Sequence, residues 1–180
     1  MYEKILQLFN EKNVLTEPGL TPEEVETIEK LYDISFPQSL KDFLMQVLPV
    51  SEGFYNWRNV NDENVARIKC AISRPKEWVY ESFIELYEGD NGGKQEEENE
   101  KTIREFREEL DQAPKLIPIY EHRYMPMVGD NPPVLSVYGI DIIYYGKDLC
   151  DYFEVEFGSK KQREIEFSDI AQIEFWSDMI

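Results

Sequence analysis

Apolar residues recur three and four apart through the first half of the chain, then give way to short β-branched and aromatic runs after residue 115. Ile5, Leu6 and Phe9 share one face of a short amphipathic helix, which the turn residues Glu17-Pro18-Gly19 interrupt. Thr21-Pro22-Glu23-Glu24 is a helix-start signal: the threonine can cap, proline suits the first turn, and Glu24 can return a hydrogen bond to the cap. Val25, Ile28 and Leu31 continue that face to about Tyr32. Phe36-Pro37 opens a third helix carrying Leu40, Phe43, Leu44, Val47 and Leu48, with Pro49 at its end.

The stretch from Ser51 to Trp57 mixes turn residues with large aromatics and is expected to cross the surface as a loop packed by its own side chains. Asn61 or Asp62 can cap a helix bearing Val65, Ile68 and Ile72. Pro75 is expected to break or restart it, and Trp78, Val79, Phe83, Ile84 and Leu86 predict a further helical piece ending before Gly89. Residues 89 to 100 read as an acidic, mobile insertion. Within it, Gly89 to Gly93 lacks the ligand alternation of a calcium loop, and Gly92-Gly93-Lys94 lacks the spacing of a phosphate loop. Ile103, Phe106 and Leu110 mark another amphipathic helix.

The period then changes. Leu116 to Tyr120, Pro133 to Tyr138 and Asp141 to Gly146 read as strands bounded by turn residues. Leu149 to Phe157 fits a strand or a helix, and the pieces around Ile165 to Phe167 and Ile170 to Trp176 are equally ambiguous. Helices first and strands later predict an α+β fold, with N-terminal helices packed against a mostly antiparallel sheet formed by the C-terminal half. One domain spanning 1–180 is expected at this length.

Composition adds a partner class. Asp and Glu number 37 against 19 Lys and Arg, a net charge of −18, which repels nucleic-acid phosphates and anionic lipid and attracts basic proteins, or else serves solubility alone. No apolar run is long enough to span a bilayer, and the N-terminal residues lack the form of a signal peptide, so a cytoplasmic location is expected. Cys70 and Cys150 fit no metal or redox spacing and are expected as buried free thiols.

Candidate chemistry is thin. His122 is the single histidine, so any acid–base mechanism that needs histidine must centre on it, yet no nucleophile elbow accompanies it; the alternative is a loop histidine that anchors the turn after Ile119. Paired carboxylates of a glycosidase are a further alternative that abundance alone cannot support. No catalytic residue, cofactor or metal is expected. Trp57 is either a core filler or a partly exposed interface anchor. Tyr144 and Tyr145 with Asp141, Asp148 and Asp151 could form an acidic aromatic binding face; alternatively, one tyrosine faces the core and the aspartates solvate turns.

Thr21-Pro22-Glu23-Glu24, Glu29, Phe36-Pro37 and Phe43-Leu44 resemble the N-terminal signature of the Smi1/Knr4 (SUKH) superfamily. Leu116-Ile117-Pro118-Ile119, Gly129-Asp130 and Pro133-Val134 look like its second block, and Asp141 to Gly146 with Tyr152-Phe153 looks like a variant found in firmicute members. The resemblance covers most of the chain outside the acidic insertion. It implies an α+β binding module without family-wide catalytic residues. Many bacterial members are immunity proteins that neutralise toxins, often nucleases, encoded by the preceding gene, and fungal relatives are interaction hubs. The expected partner is therefore a basic protein such as a toxin domain, or alternatively a regulatory or scaffold partner.

Overall fold

The local signals of the first forty residues become three helices in the computed structural model, which describes residues 2–90 and 96–180. The first, α1 (Glu3–Glu11), buries Ile5 and Phe9. In α2 (Pro22–Tyr32) the capping box forms: the Glu24 amide donates to Thr21 Oγ1 at 3.2 Å, and the Thr21 amide donates to Glu24 Oε2 at 2.8 Å. Asp33, in the left-handed region at φ 52°, ends it. The third, α3 (Gln38–Gln46), buries Leu40, Phe43 and Leu44.

Two short strands depart from the expected pattern. Thr16–Pro18 forms β1 and Val47–Pro49 forms β2, paired antiparallel, so Val47 and Leu48 leave the helix they were expected to continue. The crossing is tight: a side chain on Gly19 would lie 1.9 Å from the Met45 carbonyl oxygen, which only glycine avoids.

Pro75 does not break its helix. One helix, α4 (Asp62–Asp90), runs through it, capped by Asn61, whose Oδ1 accepts from the Asn64 amide at 2.8 Å. Proline forfeits one backbone bond and is disfavoured inside a helix, but residues on both sides of it are held by burial: Ile68 and Ala71 before, Val79 after. The expected insertion at 89–100 is also revised. Its first two residues end α4, and Glu96–Gln112 forms α5, so 96–100 are helical; 91–95, which include the glycine-rich positions, lie outside the described residues. The inner part of α5 is integral to the fold, since Phe106 stacks on Phe83 at 3.8 Å between centroids and Leu110 is buried.

The C-terminal half holds a four-stranded antiparallel meander in sequence order: β3 (Leu116–Tyr120), β4 (Arg123–Pro126), β5 (Val134–Tyr138) and β6 (Asp141–Gly146). The strand β4 has no counterpart among the expected runs, whereas the other three coincide with them. Leu149–Glu156 resolves as a helix, α6, and the last residues form three short 3-10 turns.

Alternation along the strands supplies two cores. Ile117, Met125 and Val134 join α1, α2, α3, α6 and the aromatic loop on one face. Leu116, Tyr124, Leu135, Val137 and Ile142 face the other, against Val79, Leu110, Ala113 and the C-terminal Ile165, Ile170, Ile173 and Trp176. The loop before α4 lies against β3, where the Glu121 amide donates to the Gly53 carbonyl at 2.9 Å and Phe54 bridges Tyr120. The fold is α+β, with helices in the N-terminal half and this sheet in the C-terminal half.

A candidate docking face on the fourth helix and the last hairpin

The motif residues of the N-terminal half have structural work. Glu29 Oε1 accepts from the Phe36 amide at 2.8 Å and from Lys41 Nζ at 2.9 Å, which fixes the chain between α2 and α3. Phe36 and Pro37 are buried there, as are Ile117, Pro118 and Val134 in the sheet and Pro133 just before β5.

The side chains expected to meet a partner are mostly committed elsewhere. Trp57 is core: it is 2% exposed and meets Tyr32 and Phe36 edge-on at 5.6 and 5.1 Å between centroids. The glycine and asparagine around it signal a loop, but the loop folds inward. Tyr144 is buried, with its hydroxyl 2.6 Å from Ser177 Oγ. Tyr145, on the other face of β6, lies under the Arg123 guanidinium at 3.8 Å. Arg123 is held in turn by Glu156 Oε2 at 3.1 Å and Ser136 Oγ at 3.0 Å. Asp148 caps α6 by accepting from the Asp151 amide at 2.8 Å, while Asp151 accepts from the Lys147 amide at 3.0 Å and pairs with Lys160. Of the expected aromatic and acidic face, only Asp141 is exposed. The placement follows from parity: adjacent residues of a strand face opposite ways, so Tyr144 and Tyr145 cannot share a surface.

The two cysteines depart from expectation as well. Both Cys70 and Cys150 are free and exposed rather than buried, Cys70 on the outer side of α4 and Cys150 in the first turn of α6. His122 sits half-buried in the β3–β4 turn; burial, with Arg123 adding to it, pulls its pKa below the usual histidine value. Its ring lies 6.2 Å from that of Tyr138. Among the described residues, no group of three or more His, Cys, Asp or Glu is placed to hold a metal, and no helix is long and apolar enough to cross a membrane.

What the structure does bring together is a different set of side chains. The hairpin between β5 and β6 closes on the pair Tyr138–Asp141, leaving Gly139-Ile140 as a two-residue turn with Gly139 at φ 60°, as tight hairpins with glycine first require. The turn projects Tyr138, 67% exposed, and Ile140, 41% exposed. Trp78 of α4 meets the Tyr138 ring at 5.2 Å, and the Arg74 guanidinium covers the Trp78 ring at 5.1 Å. On α4, Glu77, Glu81 and Glu85 are exposed at four-residue spacing, and Leu86 is exposed after them. The result is a ridge in which exposed Tyr138 and Ile140 stand beside half-buried Trp78, with Arg74 over the tryptophan and exposed glutamates along the same helix.

Two signals mark this ridge in the sequence. One is the Tyr-Gly-Ile turn after an apolar run, and the other is a row of glutamates four apart beside a tryptophan. Neither stands out while Tyr138 is read only as the last residue of a strand. No family model, curated protein or solved structure matches the chain.

Proposed function

We propose that this chain is a non-enzymatic protein-binding module of the Smi1/Knr4 (SUKH) type whose partner is a basic protein, most concretely a toxin domain that it neutralises. The observation that carries the reading is the ridge at Tyr138, Ile140 and Trp78 with Glu77, Glu81, Glu85 and Asp141 beside it. Tyrosine and tryptophan are the side chains that most often anchor interfaces, because they contribute large area at low conformational cost. Surrounding carboxylates accelerate encounter with a positive surface and disfavour acidic competitors. The net charge of −18 extends that field over the molecule.

The resemblance supports the toxin as partner, and the charge supports its basicity. The test is co-expression with the product of the preceding gene. Growth should be rescued by the unaltered chain and lost with Tyr138→Ala combined with Glu81→Lys, while circular dichroism of the variant stays unchanged because both positions are exposed. Absence of both rescue and a complex between the purified proteins would falsify the toxin reading. Rescue that survives the double variant would move the interface off this ridge.

A further inference from the structure

Acidic residues outnumber basic ones by 37 to 19, yet three lysines converge on one cavity. The space, about 350 Å³, lies between the end of α2, the first half of α4 and the residue that precedes β3. Its walls include Lys69, Lys76 and Lys115, with Asp33 as the single carboxylate among the described residues and Leu31 and Ile72 as apolar lining. The volume falls within the range of about 300–1,000 Å³ typical of small-molecule sites.

Two of the lysines are already fixed. Lys76 Nζ donates to the carbonyls of Asp111 and Ala113 at 2.9 and 2.6 Å, closing the end of α5. Lys115 Nζ donates to the Asp33 carbonyl and to Asp33 Oδ2, both at 2.6 Å. Lys69 has no hydrogen-bond or ion-pair partner among the described residues. One carboxylate against three ammonium groups leaves the walls positive. Tyr32 lines the same cavity and is 5% exposed.

We infer that this cavity binds a small amphipathic carboxylate, its head held by Lys69 and the fixed lysines and its aliphatic part resting on Leu31 and Ile72. Inorganic anions satisfy only the rim. A neutral alcohol of the same length satisfies only the apolar wall. Because the cavity is built from α2, α4 and the entry to β3, occupancy ties the N-terminal helices to the sheet. This site is separate from the docking ridge, so its ligand and the protein partner are independent questions.

The test uses the full chain and octanoate, with octanol and inorganic phosphate as comparison probes, followed by amide chemical shifts in two-dimensional NMR. Octanoate should move the resonances of Tyr32, Lys69, Ile72, Ser73 and Lys115 together. Lys69→Gln, which removes a charge with no partner among the described residues, should weaken binding about fivefold. No coordinated shifts with octanoate, an unchanged affinity in Lys69→Gln, or phosphate or octanol binding as tightly as octanoate would each overturn the inference.

Discussion

Glu29 joins two helices through one carboxylate oxygen that accepts from both the Phe36 amide and Lys41. Removing it leaves a part-buried amide without its partner, so Glu29→Ala should cost about 2 kcal/mol in urea denaturation, and Glu29→Gln less, because its amide oxygen can still accept. Arg58 is a comparable hub, donating to Glu24 Oε1 at 2.6 Å, to Glu17 Oε2 at 3.0 Å, and to the carbonyls of Pro18 and Gly19. Hydrogen bonds from Arg58, followed by that from the Thr21 amide, hold the Glu24 carboxyl below its ordinary value of 4.5. A carboxyl with a depressed folded pKa adds stability that is complete above the unfolded value and disappears as pH falls through the folded one. Stability should therefore drop below about pH 4.5, and Arg58→Gln should flatten that acid limb when unfolding free energy is followed against pH. The sequence exposes some of these roles and hides others. The Thr21–Glu24 reciprocity is local and could be read directly. The reach of Arg58 to residues some forty positions earlier could not be, and neither could the inward turn of Trp57, because both depend on where the loop lands.

At the scale of elements, Pro75 weighs two opposing terms. A proline inside a helix costs about 3 kcal/mol relative to alanine, while losing the buried part of its ring forfeits about 0.8 kcal/mol per methylene. The helix penalty wins, so Pro75→Ala should raise the melting temperature without changing the far-ultraviolet dichroism. A lower melting temperature would mean that the ring is needed as packing. The β1–β2 ribbon makes the opposite prediction: Gly19→Ala should destabilise strongly, by more than about 2 kcal/mol, because the clash is with backbone rather than with a flexible side chain. Long periodic elements such as α2, α3 and β6 were legible because their spacing repeats. The ribbon was not, since three residues per strand carry no period and Val47 and Leu48 also fit the helical stripe before them. The break expected at Pro75 does not occur, because a local penalty of this size is overridden when residues before and after it, Ala71 and Val79, are anchored in two separate cores.

Across the whole molecule, charge and burial act at different ranges. The net charge of −18 creates a long-range attraction for basic partners that salt screens over about 8 Å at physiological ionic strength. Association with a basic partner should therefore slow steeply as salt rises, while dissociation responds chiefly to Tyr138→Ala; stopped-flow rates at two ionic strengths separate the two effects. An association rate insensitive to salt would remove electrostatic steering from the picture. The two-sided sheet has a further consequence, in the order of events during synthesis. The first hydrophobic cluster has all its buried members once Phe153 has been made, whereas the second waits for Trp176, whose indole donates to the Pro114 carbonyl at 2.9 Å. A chain cut at residue 160 would keep every buried member of the first core but lack Ile165, Ile170, Ile173 and Trp176, which complete the cover of the second over Leu135, Val137 and Ile142. Apolar surface left without that cover favours aggregation over folding, so the C-terminal turns protect the sheet as well as completing it.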